Sequence, residues 1–265
     1  MLLLFSVDAY SQSTSWIGTA NFNWTDASNW TNGVPTQNLH AIIGDANFTG
    51  SNQPTLNSGT LKCKSLTIGS GTKSSTLTIS RNLIVYGDLT IGSNGTINHN
   101  TRRLITLNGD WINNGTYTAT NNASRVSFSG TTSSLVGATT FKDLRINAGC
   151  TVTLGANITV NSDFDCYGIL NPTANYVVSG TADLDVERNG SIQVHTSTFA
   201  GNYTISSVDI DARGEVNYAS ASITQTVSSA YKYGILRISG GSTKELAANL
   251  IDIHSGASTR GRVYV

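Results

Sequence analysis

Along most of this chain apolar and polar residues alternate in short runs, as in LTLNGDWI, VTLGANITV and SIQVHT. Alternation with a period of two places every second side chain on one face of an extended strand. No stretch carries apolar residues at i, i+3, i+4 and i+7 over three helical turns, so the pattern predicts strands and excludes a long amphipathic helix. A second period overlies the first. A cassette of polar, apolar, outward and apolar residues, then polar residues and Gly, returns about every 20 to 26 residues. It reads SLTIGSG at Ser65, DLTIGSNG at Asp88, DWINNG at Asp110 and DLRINAG at Asp143. It continues as DFDCYG at Asp163, DLDVERNG at Asp183, DIDARG at Asp209 and ILRISG at Ile235. A unit this short cannot bury its apolar face until neighbours stack on it, so the repeat predicts a solenoid.

The expected fold is all-β, a right-handed parallel β-helix with an N-terminal aromatic cap segment. Leu66, Leu89, Trp111, Leu144, Phe164, Leu184, Ile210 and Leu236 should form one inward column. Residues 1–12 read as a secretory signal peptide, from the apolar run Leu2 to Val7 and the small residues Ala9 and Ser11. Residues 13–55 stand outside the repeat and hold Trp16, Trp24 and Trp30; residues 56–265 form the β-helix, continuing past the chain end. The interval between Asp110 and Asp143 is longer than the others, which suggests an insertion or enlarged turn around Asn121 to Gly137. A coarser echo links VSFSG at Val126 with VNYAS at Val216, as if coils were copied in blocks. The chain closes on GRVYV with no polar cap, so further chain or self-association is expected at that end.

Charged residues make up only 12% and the net charge is zero, which excludes a nucleic-acid groove or polybasic membrane patch. No segment approaches the ~18 apolar residues of a membrane span, so the protein is not expected to be transmembrane. Cys63, Cys150 and Cys166 lack metal-ligand or disulfide spacing and read as buried thiols.

The N-terminal pattern W-x-G, then W, NW and G-V-P, is followed by LTIGSG, RNLIVYGDLTIGSNGTI and ANITVNSDF. Together these resemble β-helical, adhesin-like secreted or surface repeat proteins of Bacteroidota, over most of the chain from Trp16 to about Ile253. The leader ending AYSQ fits that group. The resemblance implies an extracellular location and a long parent protein, often ending in a sorting domain. It implies surface glycans or another cell surface as partners.

The candidate chemistry lies in a carboxylate patch. Aligned cassettes give one outward column of Asp143, Asp163, Asp183 and Asp209, and a second of Arg145, Asp165, Asp185, Asp211 and Arg237. Carboxylates about 5 Å apart repel by ~0.8 kcal/mol each even in water. A bound cation such as calcium, the bracketing arginines or raised pKa values would offset this. The patch resembles the acidic outer faces of β-helical polysaccharide lyases and hydrolases. The simpler reading is that these Asp side chains serve turn backbone groups, and no catalytic residue, resident metal or cofactor is assigned. His40, His99, His195 and His254 are scattered and form no metal motif. Trp16, Trp24 and Trp30 would either plug the solenoid or offer a stacking platform for sugars. Threonine pairs at Thr76/Thr78, Thr116/Thr118 and Thr151/Thr153 raise an ice-binding face, but they do not recur at one position in every coil. The leading expectation is a non-enzymatic adhesin-like or structural segment. A polysaccharide-binding or polysaccharide-cleaving β-helix is the alternative, and ice binding the minor one.

Overall fold

A computed structural model describes residues 12–248, 252–254 and 261–265; all but Gln12 of the leader segment lies outside them. The chain winds into a parallel β solenoid. Its first face is a 12-stranded sheet that begins Ser13–Ser15, His40–Ile43, Leu66–Ile68, Leu89–Ile91, Trp111–Asn113 and ends at Arg262–Tyr264. At ~4.8 Å per strand this face is about 50 Å tall. The second face has 8 strands, from Leu61–Cys63 to Tyr203–Ile210. A third face has 4: Thr55–Leu56, Ser75–Ile79, Gly95–Asn98 and Thr116–Thr118. The strands pair in parallel from coil to coil, with register shifts on the second face at Phe141/Asp143 and Gly180/Asp183. Among the described residues, helix is limited to Phe199–Asn202 and one 3-10 turn at Ala27–Asn29, and no helix is long and apolar enough to cross a membrane.

The alternation explains the core. Leu66, Leu89 and Trp111 stack on the first face, and Leu77 and Ile97 on the third, all fully buried, while the residues between them face out. Trp111, Tyr117 and Phe141 meet inside with ring centroids 5.0 to 5.7 Å apart, where the third face gives way to the longer strand Thr139–Ile146.

The eight cassette residues do not form one column. Leu66, Leu89, Trp111 and Leu236 lie on the first face, whereas Leu144, Phe164, Leu184 and Ile210 lie on the second. The change of face falls in the long interval after Asp110. That interval is not an enlarged turn: it supplies the strands Arg125–Phe128 on the second face and Thr132–Val136 on the first. The cassette is a local strand-and-turn signal, and the extra pair of strands moves its next copy to another side of the rod. The echo at Val126 and Val216 is likewise not positional, since Val126 sits on the second face and Val216 on the first.

The segment 13–55 enters the same stack, because Ser13–Ser15 pairs with His40–Ile43, which pairs with Leu66–Ile68. Trp16, Trp24 and Trp30 are buried within it and meet edge to face, with centroids 5.1 and 4.8 Å apart. Trp16 Nε1 donates to Asn52 O and Trp30 Nε1 to Trp24 O, each at 2.8 Å.

Candidate functional site

The carboxylate patch occupies the outer side of the second face. Three long strands carry it: Thr139–Ile146, Ile158–Cys166 and Val178–Val186. The inward residues between the acids are apolar (Leu144, Phe164 and Leu184 in one row), so the flanking acids are forced outward by the pleat. A register shift between Gly180 and Asp183 bends the face at this level. Gly180 adopts φ +124, and a Cβ there would lie 2.0 Å from Val160 O, so the bend needs glycine.

The observed columns differ from the aligned cassettes. The first runs Arg125, Asp143, Asp163, Asp183 and Ser207; the second runs Ser127, Arg145, Asp165, Asp185 and Asp209. Asp209 therefore stands beside Asp185 rather than Asp183, a slip of two residues. Asp211 lies past the strand in a turn, where its Oδ1 accepts from Arg213 N at 2.8 Å. Arg237 does not bracket the patch at all. It lies on the first face, with Nε 2.9 Å from Glu215 Oε2 and its guanidinium over Tyr264. Among the described residues the second face ends at Tyr203–Ile210, and the later cassette at Ile235 joins the first face.

The cation that does bracket the patch is Arg125. Its Nε donates to Asp143 Oδ1 at 2.7 Å, and its terminal nitrogen reaches Asp163 Oδ2 at 3.2 Å and Asp165 at 3.7 Å. Arg145 donates to Asp165 through both Nε and a terminal nitrogen. The position of Arg125 was legible, because R-V-S-F at Arg125 matches D-L-R-I at Asp143 and D-F-D-C at Asp163 in alternation. That run closes on Gly130 as D-F-D-C closes on Gly168, but it opens on Arg where the neighbouring cassettes open on Asp.

The patch thus divides. Asp143 and Asp165 are only 4% and 6% exposed and sit against arginine. Burial nonetheless pushes the Asp143 carboxyl up, with Arg125 opposing. Burial and the neighbouring Asp165 push Asp163 up as well. At the other end Asp185 is half-buried with no arginine in contact among the described residues. Burial first, then Asp163, Asp209, Asp165 and Glu187, raise its carboxyl to about 6. Asp185, Glu187, Asp209 and Asp211 line a shallow depression of about 220 Å³. One carboxylate oxygen from each of Asp163, Asp165 and Asp185 lies within 4.8 Å of the others, a spacing that a hard cation could bridge. Two of those three already contact arginine.

The remaining candidates are dispersed. The three tryptophans present no ring face to solvent. His99 is buried between Tyr117 Oη at 2.9 Å and Arg103 O at 2.8 Å, and burial pushes it down to about 4. His195 pairs with Gln193, His254 with Ile210 O, and His40 with Ser65. Cys63, Cys150 and Cys166 are buried free thiols, and burial raises Cys166 to about 12. Compared with known protein families, curated proteins and solved structures, the chain matches none.

Proposed function

We propose that this chain is a segment of a secreted or cell-surface β-helix that acts without catalysis, as an adhesin-like or structural rod. The observation that carries this reading is that arginine neutralises the Asp143, Asp163 and Asp165 end of the acidic ladder from within. Arg125 and Arg145 span the coils that hold Asp143, Asp163 and Asp165, so the densest charge on the rod ties successive coils together. Asp residues at the start of first-face cassettes behave in the same way. Asp88 Oδ1 accepts from Asp110 N at 2.8 Å, and Asp110 Oδ1 accepts from Ser134 N at 2.6 Å. Each such bond fastens one coil to the next. The apolar leader and the likeness to surface repeat proteins support an extracellular setting.

The test is adhesion. Beads coated with the purified protein should be retained on glycan-coated or cell-coated surfaces under flow, while the soluble protein leaves polysaccharides at their original length. Chain shortening of an acidic or neutral polysaccharide, abolished by Asp185→Asn, would replace this reading with the enzymatic one.

A second reading rests on the convergence of Asp163, Asp165 and Asp185, which suits calcium or the cationic part of a polysaccharide complex. A cation bound only by the folded rod would raise its Tm. Calcium should then stabilise the parent protein and leave an Asp185→Asn, Asp211→Asn variant unaffected; an equal response in both would remove this reading.

A further inference from the structure

The threonine pairs counted along the chain looked irregular, yet the coil-to-coil register makes them regular. On the third face Thr76 pairs with Thr96 and Thr96 with Thr116. Beside that column, Thr55 pairs with Thr78, Thr78 with Asn98, and Asn98 with Thr118. The missing member was Thr96, hidden because its coil reads T-I-N and offers no second threonine. Thr151 and Thr153 belong to a different side of the rod, the first face.

These pairings run without a register shift, so the face is a grid. Its repeats are ~4.8 Å between coils and ~6.6 Å between alternate residues of a strand. Threonine is stiff at χ1, so its hydroxyl and methyl are held in place before any ligand arrives. Beneath the grid Leu56, Leu77 and Ile97 are fully buried and Tyr117 nearly so, which anchors the platform to the core. None of the six threonine hydroxyls bonds to another described residue, whereas Thr101 and Thr139 direct theirs to Ile79 O and Gly137 O. The grid carries no charge, and every outward residue in it is Thr or Asn.

We propose that this face binds ice. Its two repeats lie close to the oxygen spacings of hexagonal ice, and its hydroxyls and methyls would hold an ordered water layer in that spacing. Charged groups would impose their own hydration shells, and the grid has none. A sugar platform needs flat rings, and the one aromatic residue on these strands, Tyr117, points inward. The inference is independent of the acidic ladder on the second face and of the adhesive reading.

The experiment is partition into slowly grown ice, using the whole protein. The parent should be enriched in the ice fraction. Thr96→Lys, at the centre of the grid and pointing outward, should cut that enrichment about tenfold. Thr153→Lys, outward on the first face, should behave as the parent does. Melting curves check that each variant is folded, and Thr116→Lys, on an exposed grid position, replaces Thr96→Lys if the latter melts early. Exclusion of the parent from ice, or full retention by both grid variants, overturns the proposal. So does selective loss of pull-down by an insoluble crystalline polysaccharide with the parent excluded from ice, which would make the grid a glycan-binding face.

Discussion

Replacing Asp185 with Asn removes one charge from the unneutralised end of the acidic ladder while keeping the shape of the side chain. In the folded rod the carboxyl is raised to about 6, by burial first and then by Asp163, Asp209, Asp165 and Glu187. In the unfolded chain an Asp titrates near 3.9. The folded state therefore holds this proton more tightly, and stability is lost as pH rises from about 4 through about 6. A shift of two units corresponds to about 3 kcal/mol, but the side chain is half in water, and screening reduces this to about 1 kcal/mol. Above about pH 7 Asp185→Asn should thus be more stable than the parent by about 1 kcal/mol, which is roughly 2–4 °C in Tm for a chain of this size. Below about pH 4 the two should coincide, because the parent carboxyl is then protonated in both states. Thermal melts followed by circular dichroism across this range provide the measurement. A variant less stable than the parent at neutral pH would show that Asp185 accepts hydrogen bonds the fold needs. A gain of equal size at both ends of the range would refute the electrostatic account.

Arg125→Met leaves Asp143, 4% exposed, without its partner, and should cost about 3–5 kcal/mol in urea melts; Arg125→Met with Asp143→Leu should recover most of it. Gly180→Ala forces a side chain onto Val160 O at a positive φ and should lower stability by about 1–3 kcal/mol, read as an earlier Tm. Leu184→Asp puts a lone charge among apolar side chains and should unfold the middle of the second face, seen as lost amide-exchange protection there. The thiols of Cys63, Cys150 and Cys166 should resist a disulfide reagent in the native rod and react fully once it is unfolded in denaturant.

How much of this was legible from residues alone depends on the range of the interaction. Period-two alternation is local, so strand identity, the inward set (Leu66, Phe164, Leu184) and the parallel solenoid followed from it. Asp163 and Asp165 were correctly placed on one outward edge for the same reason. Failure began where a residue's neighbour is a whole coil away. Asp209 was matched to Asp183 because both open a cassette, yet the strand Tyr203–Ile210 pairs two residues further along, beside Asp185. Arg237 follows the same local template as Arg145 and stands on another face.

By itself, the order of apolar and polar residues determined that this chain makes short strands, turns at its glycines and stacks its repeats in parallel. It did so because each of those outcomes depends on a handful of adjacent residues and on burial of one side of a strand. Only the tertiary structure decided which coil positions face one another, and hence that Arg125 binds Asp143, that Asp185 stands unneutralised, and that Thr96 completes a grid with Thr76 and Thr116. The number of residues in each turn sets that registry. A difference of two residues leaves the alternation intact while moving every side chain to a new neighbour.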